Sequence, residues 1–403
     1  MLRIFTKYFF YLLAFAPIIG YFLRGLYGLK VAAITLFGNI ALFVVILMTI
    51  KFGYLALKKP KYFMLGMLFA IYWFIWGQFN GIVEFSGLPK LIFANPFLLI
   101  LFVFIIIENT SFSERFIKRL ILLFKITIVI SFIVSLIQVL VDSHFFYPQQ
   151  LIEETDTMSE LGFYEIRNQS IFGYLDQNDI GLSFVPIISL FVGYHFYNKN
   201  NLIFMIFVII AGLVCFLTNG RYVMINFILI FCQVFFLKNL TLFKKIRYLV
   251  SSVILIGLII TGLTYLGYDI NDFWEERIMS ESGNSRIIAF DMFGRFFGEH
   301  PLFGTGVRTN NELMSALYGR SSQIHVGYLS AFFEWGIVGA SLIFIYWYRI
   351  AKDLYKKAKL SLFYGAFFGF MTFLIANTVL VQYTILFYGL IYCFVFSKYY
   401  YNI

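Results

Sequence analysis

Residues 324–348 read IHVGYLSAFFEWGIVGASLIFIYWY: a polar entry at His325, then a long apolar run broken by a single carboxylate, Glu334. A helix needs about 20 mostly apolar residues to cross a bilayer, so this is a loop returning to the membrane and becoming a span. The loop it returns from is the largest polar segment of the chain, beginning near Gly267. It contains Asn284-Ser285-Arg286 and then Glu299-His300-Pro301-Leu302-Phe303-Gly304-Thr305-Gly306. Long apolar runs flank it on both sides, so the loop is where chemistry has room and the rest reads as its scaffold.

The totals agree. Of 403 residues, 61% are hydrophobic and only 13% charged, with a mean hydropathy of +0.84, where a soluble domain has about a quarter of its residues charged. That describes an all-α polytopic integral membrane protein, because runs this long exclude a β-barrel. A net charge of +10 does not imply nucleic acid, since basic residues near span ends mainly set orientation. Cys215, Cys232 and Cys393 all sit inside apolar runs and read as packing residues, not as a disulfide or metal framework. Arg3 and Lys7 before the apolar run at residues 8–22 imitate a secretory signal. The continued apolar sequence after Ala14-Phe15-Ala16 makes a retained first span the expectation.

About twelve spans are expected, near residues 8–23, 31–50, 62–77, 91–107, 119–141, 179–197, 202–218, 221–237, 247–266, 326–348, 361–376 and 379–397. Residues 1–141 then hold spans one to five, 142–178 an external loop and 179–266 spans six to nine. Residues 267–325 form the large external loop, with short amphipathic helices, and 326–403 hold the last three spans. Residues 78–96 leave room for a re-entrant segment, and Asn377-Thr378 is the break between the last two spans. Sorting charges onto the two faces gives an orientation. One face gathers 20 of the 31 Lys and Arg residues but, of the acidic ones, only Glu108, Glu114 and Asp353. Positive-inside logic makes that face cytoplasmic, with both termini inside and both long loops outside.

From residue 142 onward every basic residue on the outer face is Arg: Arg167, Arg221, Arg277, Arg286, Arg295, Arg308 and Arg320. Arg offers a planar fork of donors for phosphate or carboxylate. Acidic loops paired with arginines give the same pattern. Neither long loop holds an Asp-x-Asp pair for a divalent ion, so metal-free chemistry without a cofactor is the expectation. Asp176-Gln177-Asn178-Asp179 comes nearest, and Asx residues there are ordinary helix caps.

Arg221, in a hairpin between two spans, is either an interfacial anchor or an anion clamp at phosphate height. Arg286 opens a stretch whose apolar residues Ile287, Ile288, Phe290, Phe293 and Phe297 recur at helical spacing, which predicts an amphipathic surface helix capped by Ser285 or Asn284. Arg295, nine residues on, falls about 180° around that helix from Arg286. The helix should end before His300-Pro301, with His300 a turn residue, and Gly304-Thr305-Gly306 allows a tight turn or close backbone approach. His325 opens the tenth span. A lone interfacial His is ordinarily structural, but Arg221 and Arg286 share its face of the membrane. Glu334, deep in the span, needs a partner or a wet cavity.

Together these residues resemble the O-antigen polymerase and O-antigen ligase family of bacterial envelope glycosyltransferases. The resemblance lies in Arg286, in His-Pro-Leu-Phe-Gly-Thr-Gly at 300–306, in His325-Val-Gly-Tyr and in Glu334-Trp-Gly-Ile-Val-Gly, with Gly220-Arg221 and Asp-Gln-Asn-Asp before span six. It covers about the last 230 residues; Val326 stands where the family often has Asn. The resemblance implies a GT-C-like, metal-independent, inverting transferase of the cytoplasmic (inner) membrane, its active site facing the periplasm or cell exterior. Donor and acceptor would be undecaprenyl-diphosphate-linked oligosaccharides, with membrane lipids and a chain-length regulator as further partners. In that reading Arg221 and Arg286 neutralise the diphosphate and His325 is the base. Arg308, Arg320, Arg295, Asn178 and Glu334 serve substrate binding. Polymerase is preferred over ligase because the loop lacks features for a lipid A core acceptor. A lipid-linked oligosaccharide flippase is the alternative from another class, although no repeat between the halves is visible.

Overall fold

The computed structural model describes residues 2–16, 19, 33–79, 95–141, 145, 182–198, 202–217, 221–265, 284–305, 326–381 and 383–403. Among the described residues the chain is all helical, with no strand. Thirteen α-helices occur there: α1 Leu2–Ala14, α2 Ala33–Phe52, α3 Phe63–Phe79, α4 Pro96–Asn109, α5 Glu114–Leu140, α6 Val185–Tyr197, α7 Leu202–Leu217, α8 Arg221–Ile230, α9 Leu242–Tyr265, α10 Asn284–Phe296, α11 Gly327–Ser361, α12 Gly365–Ala376 and α13 Tyr388–Tyr401. Each of the twelve stretches read as spans is helical over at least part of its described residues, and α10 is the thirteenth helix. Two helical segments among the described residues, Glu114–Gln138 and Gly327–Ser361, are by themselves long and apolar enough to cross a membrane. The other apolar helices are shorter.

Local chemistry sets the helix ends. The Asn95 side chain accepts the N–H groups of Phe97 and Leu98 at 3.0 and 3.1 Å, and Pro96 supplies the first residue of α4; this is a helix start by capping. Ser113 caps α5 through the Phe116 N–H. At the other end of α4, Lys398 Nζ donates to the carbonyls of Ile107 and Glu108, both at 2.5 Å. Asn109 exchanges two hydrogen bonds with the Lys58 backbone. These contacts tie residues 58, 107–109 and 398 into one end of the bundle, where the sequence concentrates its lysines.

The core sits around α6 and α13. Val185–Gly193 and Tyr388–Ser397 are buried without interruption, as helices at the centre of a bundle must be. α6 packs on α7, α8, α12 and α13; α11 packs on α3, α12 and α13; α2 and α3 flank α4, and α5 lies between α1 and α7. The outer faces are apolar too. On α5, Leu122, Ile126, Val129 and Ile133 form one exposed stripe at helical spacing, a surface that lipid solvates and water would not. On α9 none of the described side chains is buried.

The last break is longer than Asn377-Thr378. After a turn at residues 377–380 the described residues 381 and 383–387 are non-helical, and α13 begins at Tyr388. Val379, Val381, Thr384 and Ile385 are β-branched and restrict χ1, and the Thr384 hydroxyl accepts the Leu386 N–H at 3.1 Å, a local bond that competes with helix.

Candidate functional site

α11 is not one helix. Gly336 has φ 61° and ψ −171° and divides it into a first limb, 327–335, and a second, 337–361. A break of this kind leaves N–H and C=O groups without helical partners, and apolar surroundings make that costly. The motif at 300–305 supplies the partners. The Ile337 N–H donates to the Pro301 carbonyl at 2.9 Å and the Val338 N–H to the Leu302 carbonyl at 3.1 Å. In return the Phe333 carbonyl accepts the Thr305 N–H at 2.9 Å and its hydroxyl at 3.2 Å. The Trp335 carbonyl accepts the Tyr72 hydroxyl of α3 at 2.8 Å.

The two sequence motifs are therefore two halves of one interlock. His300 is the turn residue expected: its carbonyl accepts the Gly304 N–H at 2.9 Å, and Gly304 follows with φ 76°. Trp76 lies on Phe303 with ring centroids 5.6 Å apart, so α3 covers the loop. Gly336 lies about 20 Å along the helix from Arg349 at 1.5 Å per residue, less than the ~30 Å hydrocarbon thickness. The side chains of Leu302 and Phe303 beside it are exposed.

Glu334 closes the first limb. It is fully buried; Ser330, one turn back, donates its hydroxyl to Oε1 at 2.6 Å, and the Tyr383 hydroxyl faces the same pair. Trp335 packs on the Tyr383 ring with centroids 4.2 Å apart. The non-helical segment before α13 thus runs beside the break in α11, and Glu334 has polar company inside the bundle.

The start of the limb is equally constrained. The Tyr328 hydroxyl donates to the Leu374 carbonyl at 2.6 Å, and its N–H to the Asn377 carbonyl at 3.3 Å. A Cβ at Gly327 would collide with the Leu380 carbonyl and meet Asn377 Oδ1 at 2.7 Å. The Gly-Tyr of His325-Val-Gly-Tyr exists to let the end of α12 and the turn after it press against the limb.

α10 is the predicted amphipathic helix, with Arg286 at its third position and the break before His300 where expected. Its buried residues include Ala289 and Met292, whereas Phe290 is exposed, as a helix lying on a membrane surface allows. Phe293 and Phe297 stack at 4.5 Å and both meet Phe332 of the first limb, at 6.4 and 6.3 Å. Arg295 pairs along its own helix, Nε to Asp291 Oδ1 at 2.9 Å, with both side chains largely exposed. Arg221 is the first residue of α8. The side chains of Arg221 and Arg286, and all of Asn178, Arg308, Arg320 and His325, lie outside the described residues. Sequence reasoning missed Tyr72 and Tyr383, which nothing in their local sequence connects to α11.

A helical membrane protein with a loop interlocked into a broken span is the class these observations define. Residues 206–344 match the family model described as O-antigen ligase. The match runs from within α7 to within α11, taking in Arg221, α10, the interlock, His325 and Glu334, and agrees with the resemblance carried by the motifs. It supports a function of the O-antigen ligase or polymerase type, and an enzyme at that general level. No curated protein matches the chain.

Proposed function

We propose that the protein is a polysaccharide polymerase with a GT-C-like arrangement of spans, joining undecaprenyl-diphosphate-linked repeat units on the outer face of the bacterial cytoplasmic membrane. One observation supports this most: α10, which bears Arg286, is docked by Phe293 and Phe297 on the limb that begins two residues after His325. Both ends of the loop's second half are thereby anchored to one short helix, the arrangement a shared site needs.

In this reading an acceptor sugar hydroxyl attacks C1 of the donor sugar. The C1–O bond to the diphosphate breaks with inversion, and the lipid diphosphate leaves carrying the electron pair. Arg286 and Arg221 neutralise its growing charge by bidentate hydrogen bonds. His325 takes the hydroxyl proton as general base and returns it to water. Arg308, Arg320 and Asn178 serve substrate binding. Glu334 holds the floor of the site together through Ser330 and Tyr383. Arg295, paired with Asp291 at the surface, adds its charge to substrate binding. A chain-length regulator is the expected protein partner.

A ligase has the same chemistry with a lipid A core as acceptor, and the family match is equally compatible with it. The test is transfer from purified undecaprenyl-diphosphate repeat units in nanodiscs with EDTA, comparing wild type with His325→Ala, Arg286→Lys and Arg221→Lys. A wild-type ladder lost in folded variants supports the assignment. Transfer only to added lipid A core makes the protein a ligase; lipid movement across vesicles without transfer makes it a flippase.

A further inference from the structure

Between α3 and α11, at the basic end of the bundle, lies an open groove of about 620 Å³. Lys61, Arg349, Lys352 and Lys356 line its mouth, and all four are exposed. The acid among the lining residues is Asp353, whose Oδ2 is ion-paired with Lys357 at 2.8 Å. Glu108, whose charge also reaches the lining residue Tyr62, faces Lys398. Four cations around one groove repel one another unless an anion sits among them.

The wall below is apolar. Met64, Leu68 and Ile345 line the same groove and all three are exposed. Met64 and Leu68 continue along α3 into Ile71 and Ile75, also exposed, at spacings that keep them on one helix face. Ile345 continues along α11 into Val338 in the same way. A free anion has no use for such a track, whereas an acyl chain does. Basic pockets between membrane helices on the cytoplasmic side are suited to acidic headgroups.

We infer that this groove binds an anionic phospholipid of the cytoplasmic leaflet, its phosphate among Lys61, Arg349, Lys352 and Lys356 and one acyl chain along Met64, Leu68 and Ile345. The bound lipid bridges α3 and α11, the two helices that Tyr72 joins at the break. The inference rests on the orientation read from the charges and not on the catalytic assignment.

The experiment uses full-length protein in neutral detergent, titrated separately with phosphatidylglycerol, phosphatidylcholine and inorganic phosphate. Native mass spectrometry counts bound lipid and thermal unfolding reads stabilisation. One tightly held phosphatidylglycerol is expected. Arg349→Gln/Lys352→Gln should bind it about thirtyfold more weakly, about fivefold per cation removed. Lys244→Gln/Arg247→Gln on α9, an equal loss of charge outside the groove, should bind it as wild type does. Lys61→Gln/Lys356→Gln asks the same question should the first pair fail to fold. Equal binding of phosphatidylcholine, equal stabilisation by inorganic phosphate, or unchanged affinity in a folded groove variant would each overturn the inference.

Discussion

Gly304 and Gly336 touch backbone to backbone: a Cβ on Gly304 would stand 2.5 Å from the Gly336 nitrogen, and one on Gly336 would strike the Leu302 carbonyl. Both have positive φ, 76° and 61°. Each is a glycine for two reasons at once, conformation and contact.

Gly53 separates those reasons. Its φ is also positive, 77°, but nothing lies within 4 Å of where its Cβ would be. Gly53→Ala should cost only backbone strain, about 1–2 kcal/mol. Gly336→Ala adds the collision and should cost about 3 kcal/mol or more. Thermal unfolding in detergent measures both, and equal losses would mean that the interlock is loose.

Tyr72→Phe removes the hydroxyl that the Trp335 carbonyl accepts and leaves a buried acceptor without it. A loss of about 1–2 kcal/mol is expected, with ladder formation retained because Tyr72 touches no reacting group in the proposed mechanism. An unchanged unfolding temperature would show that the carbonyl finds another partner.

Phe332→Ala takes away the ring on which Phe293 and Phe297 rest, and with it the seat of α10. The proposed site then loses the position of Arg286 by a fraction of a helix diameter, and misplacement of about 1 Å can cost about 100-fold in rate. Turnover should fall by that order while the protein stays folded. Turnover within twofold of wild type would detach α10 from the chemistry.

Glu334→Gln keeps an acceptor for the Ser330 hydroxyl, whereas Glu334→Leu does not. The first should unfold within about 1 kcal/mol of wild type and the second about 2–3 kcal/mol below it. If both are equally stable, the Ser330 bond carries no weight. If Glu334→Gln abolishes transfer at wild-type stability, the carboxylate charge takes part in substrate binding.

Much of this was legible in the sequence. The apolar runs gave away the helices because lipid demands continuous hydrophobic surface, and the Asn284-Ser285 start and Ile-Phe spacing gave away α10. Gly304 announced a close approach, and His300-Pro301 announced the turn. What could not be read was the partner of that approach. Gly336 lies in Trp-Gly-Ile-Val-Gly, where a glycine is as readily a packing residue, and its break is visible only beside Pro301 and Leu302. Likewise the turn after α12 looked like a two-residue hinge, because β-branched residues are as common in membrane helices as in extended chain. The spacing that includes Phe290 located an apolar face without saying which of its residues protein covers and which lipid does.

The broken span also constrains biogenesis. Alone in the bilayer, residues 333–338 present amides and carbonyls, most of which the preceding loop satisfies, with Tyr72 of α3 taking the Trp335 carbonyl. Residues 300–305 emerge from the ribosome before α11 does, so the partner is made before the break it fills. The loop is thus a folding template for the span that follows it, and an insertion between residues 305 and 326 that delays their meeting should send the chain to membrane quality control before any sugar is handled.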